Sequence, residues 1–312
     1  MKKPALLIFG LLLFAFVSIY FIIPEKIKTT QKINIDATDV NVSRFLVNKR
    51  LWAKWWPGQY NAADSSLYAY KGIRYTLKKS TNERIQVLIK TGDLEIDSWL
   101  NYLATEEGMT TVTWITEKQS SLNPFTRIAG FLKIKSTTGD LDEILSHFKK
   151  FMQKDINVYG ISVKLNKIKD PIVLASTINS KTYPSEALIY STIENLKQQI
   201  AAQQAKVVNY PIMNINHIDD NDYHITIALP IDRLIEPGAN AKINKLVKGA
   251  NILETDVKGG RHTVANAMMQ LKKYQQDYRL ISPAMPYEQL ISNRLTEKDT
   301  TKWVTKIYYP IF

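Results

Sequence analysis

Two stretches of this chain close on nearly the same tripeptide, Leu229-Pro230-Ile231 and Tyr309-Pro310-Ile311, at an offset of about 80 residues. What precedes each closure follows one order. Residues 172–179 read as a strand, 185–205 as a helix with Ile189, Ile193, Leu196 and Ile200 on one face, and 212–218 with 223–231 as a hairpin. Residues 251–258 then read as a strand and 263–280 as a helix with Val264, Ala267, Met268, Leu271, Tyr274 and Tyr278 on one face. Residues 287–292 pair with 303–311. A β-α-β-β unit leaves its apolar face uncovered when alone, so two copies are expected to complete one pseudo-symmetric sheet. This assigns residues 155–312 to one domain.

The amino terminus follows a different rule. Residues 4–24 carry no charge and consist mainly of Leu, Ile, Phe and Val. That is about twenty residues, the length a helix needs to cross a hydrocarbon core of roughly 30 Å. Lys2 and Lys3 precede the run, and Lys26, Lys28 and Lys32 follow it. A cleaved signal peptide would have a shorter apolar region and a small-x-small site, whereas this run ends Ser18-Ile19-Tyr20-Phe21-Ile22-Ile23-Pro24. The pattern predicts an N-terminal transmembrane helix over 1–25 that contacts a lipid bilayer through residues 4–24. It predicts a single-pass membrane protein with its soluble domains outside the cytoplasm. The 41 basic and 29 acidic residues are interspersed, so the net charge of +12 forms no nucleic-acid-binding stripe. With no cysteine, disulfides, thiolate zinc sites and a cysteine nucleophile are excluded.

Between these regions the chain reads as a strand over 29–35, a short capped helix to Leu46, and strands over 84–90 and 110–117 with alternating apolar residues. A helical stretch begins at Asn123-Pro124, and an amphipathic helix over 140–154 carries Leu141, Ile144, Leu145, Phe148 and Phe151 on one face. Together with the Trp52-x-x-Trp55-Trp56-Pro57 cluster and Gly108-Met109-Thr110-Thr111-Val112-Thr113-Trp114, this order resembles the START-like (SRPBCC, polyketide cyclase-like) helix-grip fold over 28–154. The resemblance implies a curved sheet around the long helix, enclosing an apolar cavity, and with it one reading of the chain as a lipid or polyketide carrier. The tryptophans are either plain core or cavity lining.

The closing hairpin places an acid among apolar and aromatic residues. Pro286-Tyr287-Glu288-Gln289-Leu290-Ile291 is followed by a polar turn and Trp303-Val304-Thr305-Lys306-Ile307-Tyr308-Tyr309-Pro310-Ile311. Glu288 is either a solvated strand glutamate or a ligand anchor, since an unpaired buried charge costs several kcal/mol. Pro-x-Glu, a short insert and Thr-x-Ile-Tyr-Tyr-Pro-Ile resemble the closing hairpin of GyrI-like (AraC-type effector-binding) domains. That resemblance implies helices on one face of the sheet and, on the other, a groove for cationic or amphipathic molecules centred on the glutamate. Leu290 stands where the family often has Tyr, so aromatic contacts fall to Trp303, Tyr308 or Tyr309. The Gly259-Gly260-Arg261-His262-Thr263 loop places His262 near the groove mouth.

The standard hydrolase, phosphate-loop and dinucleotide signatures are missing. His217 and His224 bracket Asp219-Asp220-Asn221-Asp222, a cluster that turn chemistry already explains. The sequence thus predicts an α+β protein: transmembrane helix, START-like domain, duplicated effector-binding domain. Its expected function is non-enzymatic capture of a cationic or amphipathic small molecule by Glu288, Trp303, Tyr308, Tyr309 and His262, without metal, cofactor or nucleic acid. The enzymatic alternative is a hydrolase of electrophilic small molecules, with Glu288 as general base beside Tyr308 or Tyr309.

Overall fold

All strand pairings among the described residues are antiparallel, and they build two separate sheets. The computed structural model describes residues 2–312 except 82–83, 107 and 220–221, with backbone alone at 2–9, 12 and 15. The chain divides into two compact units, one ending at Lys154 and the other beginning at Asp155.

The first unit contains α1 (Lys2–Ile22), β1 (Lys26–Ile35), α2 (Asp39–Val47), β2 (Gln59–Tyr60), β3 (Leu67–Tyr70), β4 (Ile73–Ser80), β5 (Arg84–Thr91), β6 (Leu94–Glu106), β7 (Met109–Gln119) and α3 (Pro124–Met152). Its seven strands run in the order β1-β7-β6-β5-β4-β3-β2. Alternation drives the sheet: Ile85, Val87 and Ile89 of β5 are buried, and their neighbours along the strand face outward. Asn123 caps α3 by accepting from Phe125 N at 3.0 Å and Thr126 N at 3.2 Å, and Pro124 starts the helix without wasting a donor. The two helical stretches read from sequence are one helix of 29 residues, because Gly139 lowers helix propensity without breaking the backbone ladder. Leu141, Ile144, Leu145 and Phe148 form its buried stripe.

Trp52, Trp55, Trp56 and Trp114 are core. Trp52, Trp55, Trp114 and Tyr75 are fully buried, and the rings touch in series: Trp52 and Trp55 lie 4.6 Å apart, Trp55 and Phe148 4.5 Å, Trp56 and Tyr75 5.0 Å. Each indole N–H of the Trp52 cluster reaches a backbone carbonyl, as buried tryptophan requires.

The expected membrane anchor is corrected. Among the described residues no helix is long and apolar enough to cross a membrane. The transmembrane helix over 1–25, its bilayer contact through residues 4–24 and the single-pass localisation are therefore withdrawn; the side chains of residues 4–9, 12 and 15 lie outside the described ones. The end of α1 packs on α3. Phe16 meets Phe125 edge-on at 5.6 Å, the Tyr20 hydroxyl donates to Leu122 O at 2.6 Å, and the Arg127 guanidinium donates to Ile23 O at 2.6 Å while lying over the Tyr20 ring. Apolar length in the sequence does not distinguish a lipid partner from a protein one.

The second unit contains α4 (Asp155–Tyr159), β8 (Lys164–Lys167), β9 (Ile172–Ser180), α5 (Glu186–Ala202), β10 (Ile212–Asp219), β11 (Asp222–Pro230), β12 (Lys242–Lys245), β13 (Asn251–Lys258), α6 (Arg261–Asp277), β14 (Tyr287–Leu290) and β15 (Val304–Pro310). The eight strands run β12-β9-β11-β10-β14-β15-β13-β8. Units β9-α5-β10-β11 and β13-α6-β14-β15 are thus related by a pseudo-two-fold axis between β10 and β14, with β12 and β8 added at the edges. At the joint, Ile212 faces Gln289 and Met213 faces Glu288. Helices α5 and α6 cover the same face: α5 packs on Leu174, Met213, Ile227 and Leu290, and α6 on Leu253, Val257, Ile307 and Tyr309.

Candidate functional site

Strand parity decides where Glu288 points. Glu288 pairs with Met213 on one side and Ile307 on the other, both fully buried under the helices, so its side chain enters the helix-covered face. This is the face opposite to the one the sequence resemblance implied for the groove.

A residue that sequence reading did not single out meets it there. Arg294, in the loop between β14 and β15, folds back with its side chain only 2% exposed and sets Nη2 3.0 Å from Glu288 Oε2, whose side chain is 16% exposed. The same Nη2 donates to Thr305 Oγ1 at 2.7 Å, and the guanidinium lies 5.1 Å from the centre of the Trp303 ring. The loop is pinned from α5. Tyr190 accepts from Arg294 N at 2.8 Å and donates to Ser292 O at 3.1 Å, while Trp303 Nε1 donates to Glu297 O at 2.9 Å.

The compensation is incomplete. Among the described residues Arg294 Nε is buried with no partner, and one oxygen of Glu288 alone accepts a hydrogen bond. Burial pushes the Glu288 carboxyl above its ordinary range, and the charge and hydrogen bond of Arg294 pull it only part of the way back. Burial, and then the nearby Glu288 charge, raise the Tyr183 phenol.

The helix N-termini supply the rim. Ser185 caps α5 by accepting from Leu188 N at 3.2 Å, which sets Glu186 in its first turn. Arg261 opens α6, donates to Pro184 O at 3.2 Å, approaches Glu186 Oε1 at 3.3 Å and stacks 4.2 Å from the Tyr183 ring centre. Glu186 Oε2 is buried and unpartnered. Gly259 turns the chain into α6 with φ +138°, and a Cβ there would lie 2.7 Å from Thr263 Oγ1, so only glycine fits.

The predicted site residues do not form one cluster. Trp303 stands with Arg294 beside Glu288. Tyr309 is buried in the core under α6. Tyr308 lies on the far face, 5.2 Å from Tyr287, and its hydroxyl donates to Gln289 Oε1 at 3.2 Å. His262 is exposed and lines an open cleft with Lys258, Thr300 and Trp303. No hydrogen bond or ion pair joins it to Glu288 among the described residues. The general-base pairing of Glu288 with Tyr308 or Tyr309 is thus not assembled. The residues missed from sequence, Tyr183, Glu186, Tyr190 and Arg294, left one signal. The repeat aligns the loop before α5 with the glycine loop before α6, which brings Tyr183 and Arg261 together.

Among the described residues no group of three or more His, Asp or Glu is placed to hold a metal ion. Asp220 and Asn221 of the acidic turn lie outside the described residues, and His217 stacks 4.6 Å from the Tyr223 ring.

No family profile matches the chain, and no curated protein matches it. Among solved structures, the C-terminal domain of EcmrR is similar over 49% of this chain and 98% of its own, at 14% identity and a TM-score of 0.40. A hydrolase from Listeria innocua is similar over 48% and 92%, at 11% identity and a TM-score of 0.37. SAV2435, solved bound to tetraphenylphosphonium, is similar over 49% and 94%, at 13% identity and a TM-score of 0.32. At these values the likenesses assign neither family nor ligand to this chain, and the START-like resemblance of residues 28–154 finds no support among them.

Proposed function

We propose that the second unit is a non-enzymatic binding module that takes a small amphipathic cation on its helix-covered face, with Glu288 as counter-charge and Arg294 as the resident cation of the empty site. One observation carries the reading: Glu288 is a largely buried carboxylate, 16% exposed, with one oxygen on Arg294 and, among the described residues, no protein hydrogen bond to the other. A half-compensated carboxylate beside Tyr183, Tyr190 and Trp303 gains from a second positive group more than a solvated one does, because the surrounding dielectric is low. The aromatic rings give the apolar part of such a ligand a surface and its charge a cation-π partner. Arg261, stacked on Tyr183 and tied to Glu186, closes the approach and must shift to admit it.

Calorimetric titration of the full chain with tetraphenylphosphonium, a cation of fixed charge, tests this. Saturable binding is expected, weakened by about 2–4 kcal/mol in Glu288→Gln, which removes the counter-charge and leaves Arg294 as an unpaired repulsive one. Affinity is expected to fall on acidification through the raised Glu288 pKa, since protonation removes the anion and the ligand itself does not titrate. Equal affinities in wild type and Glu288→Gln would end the proposal.

A further inference from the structure

The far face of the same sheet holds a cavity of about 260 Å³, apart from the Glu288 cluster. Parity again explains it. Tyr287 and Tyr308, directly paired across β14 and β15, point away from Glu288 and Ile307 and lie 5.2 Å apart at 32°, an aromatic floor. Ile212 and Leu246 add apolar wall at one end, next to the small core of Val173, Ala175 and Ala228. Just below the roughly 300–1,000 Å³ range of ligand pockets, the space suits a flat molecule of one or two fused rings.

The polar lining selects the charge. Both carboxylates at the cavity are already engaged by the protein. Glu254 takes Lys306 at 2.7 Å and Asn166 Nδ2 at 3.0 Å, and Asp170 takes Asn209 Nδ2 at 2.7 Å. Gln289 is likewise committed, accepting from Tyr308 and donating to Asn209 Oδ1 at 3.0 Å. The lining side chains left without a hydrogen bond or ion pair among the described residues are the Lys169 ammonium and the hydroxyls of Tyr210 and Tyr287, and the only charge among them is positive. Burial holds the Tyr287 phenol well above its usual range, which keeps it a donor throughout the physiological interval. A cationic guest would meet no free carboxylate and would stand beside the Lys169 ammonium, whereas a guest with an anionic acceptor takes a charge-assisted bond from that ammonium and one from a tyrosine O–H.

We infer that this cavity binds an aromatic carboxylate, its ring stacked on Tyr287 and Tyr308 and its carboxylate held by Lys169 and the Tyr287 hydroxyl. The site is independent of the proposed cation site in position and in sign.

Calorimetry of the full chain with 2-naphthoate, and with 2-naphthylmethylammonium as a matched ring of opposite charge, tests the inference. Saturable binding of 2-naphthoate with one site per chain is expected, and the ammonium should bind at least about tenfold more weakly. Lys169→Met, at an exposed position, should weaken 2-naphthoate by about tenfold, and Tyr308→Leu by a similar factor. Glu288→Gln should leave it unchanged, which separates this site from the helix-covered one whatever tetraphenylphosphonium does. Absence of saturable binding, equal affinity for the two probes, or affinity for 2-naphthoate untouched by Lys169→Met overturns the inference.

Discussion

The sheet of the second unit carries two acid–base pairs on opposite faces, Glu288 with Arg294 under the helices and Glu254 with Lys306 on the far side. The acid side chains are 16% exposed at Glu288 and 5% at Glu254, and their partners differ more. Arg294 is 2% exposed, comes from a loop and has an orphaned Nε, whereas Lys306 is 33% exposed, comes from a strand neighbour and shares its acid with Asn166. Water can replace Lys306; it cannot easily replace Arg294. The difference teaches that an ion pair's importance follows from what remains after one partner is removed, more than from its distance.

The largest effect is therefore expected at Arg294. Arg294→Met should lower stability by about 3–5 kcal/mol at neutral pH, because Glu288 is left as an uncompensated buried charge. Adding Glu288→Gln to that variant should restore most of the loss, and urea midpoints at unchanged m-value measure both. If the double variant is no more stable than the single one, the Glu288 charge is not the source of the loss.

Lys306→Met should cost less, about 1 kcal/mol, since Glu254 keeps Asn166 and solvent reaches the vacated position. A loss equal to that of Arg294→Met erases the contrast between the faces. The smallest effect is in pH. The folded-state pKa of Glu288 is raised, so between the ordinary carboxylate value and that raised one the folded state binds more protons than the unfolded. The stability of wild type relative to Glu288→Gln should accordingly increase as pH falls through that window. A difference that is flat or shrinks there would show that Arg294 compensates the carboxylate fully. Carboxylates held low in the fold, such as Glu117 beside Lys26, act with the opposite sign and cancel in this comparison.

Much of this architecture was legible. The matched closures at Pro230 and Pro310 with their preceding helices were enough to expect two joined β-α-β-β units, because a repeat needs only periodicity and order. The face occupied by Glu288 was harder. Tyr287 and Leu290 put apolar side chains on both parities of β14, so alternation alone does not say which side is core; the pairing of Glu288 with buried Met213 and Ile307 does. Arg294 lay beyond reach for another reason. A loop residue six positions after its partner obeys no period, and its burial depends on Tyr190 from a helix a hundred residues away. At the amino terminus, apolar length was read as lipid contact where Phe16, Tyr20 and Ile23 meet α3 instead.

Among the described residues the two repeats of the second unit share two register pairs along β10 and β14, and one of these sets Met213 opposite Glu288. An exact repeat would set two carboxylates against each other at that pair, where like charges directly opposite are destabilising; the difference between the copies is what leaves the joint able to hold a single acid.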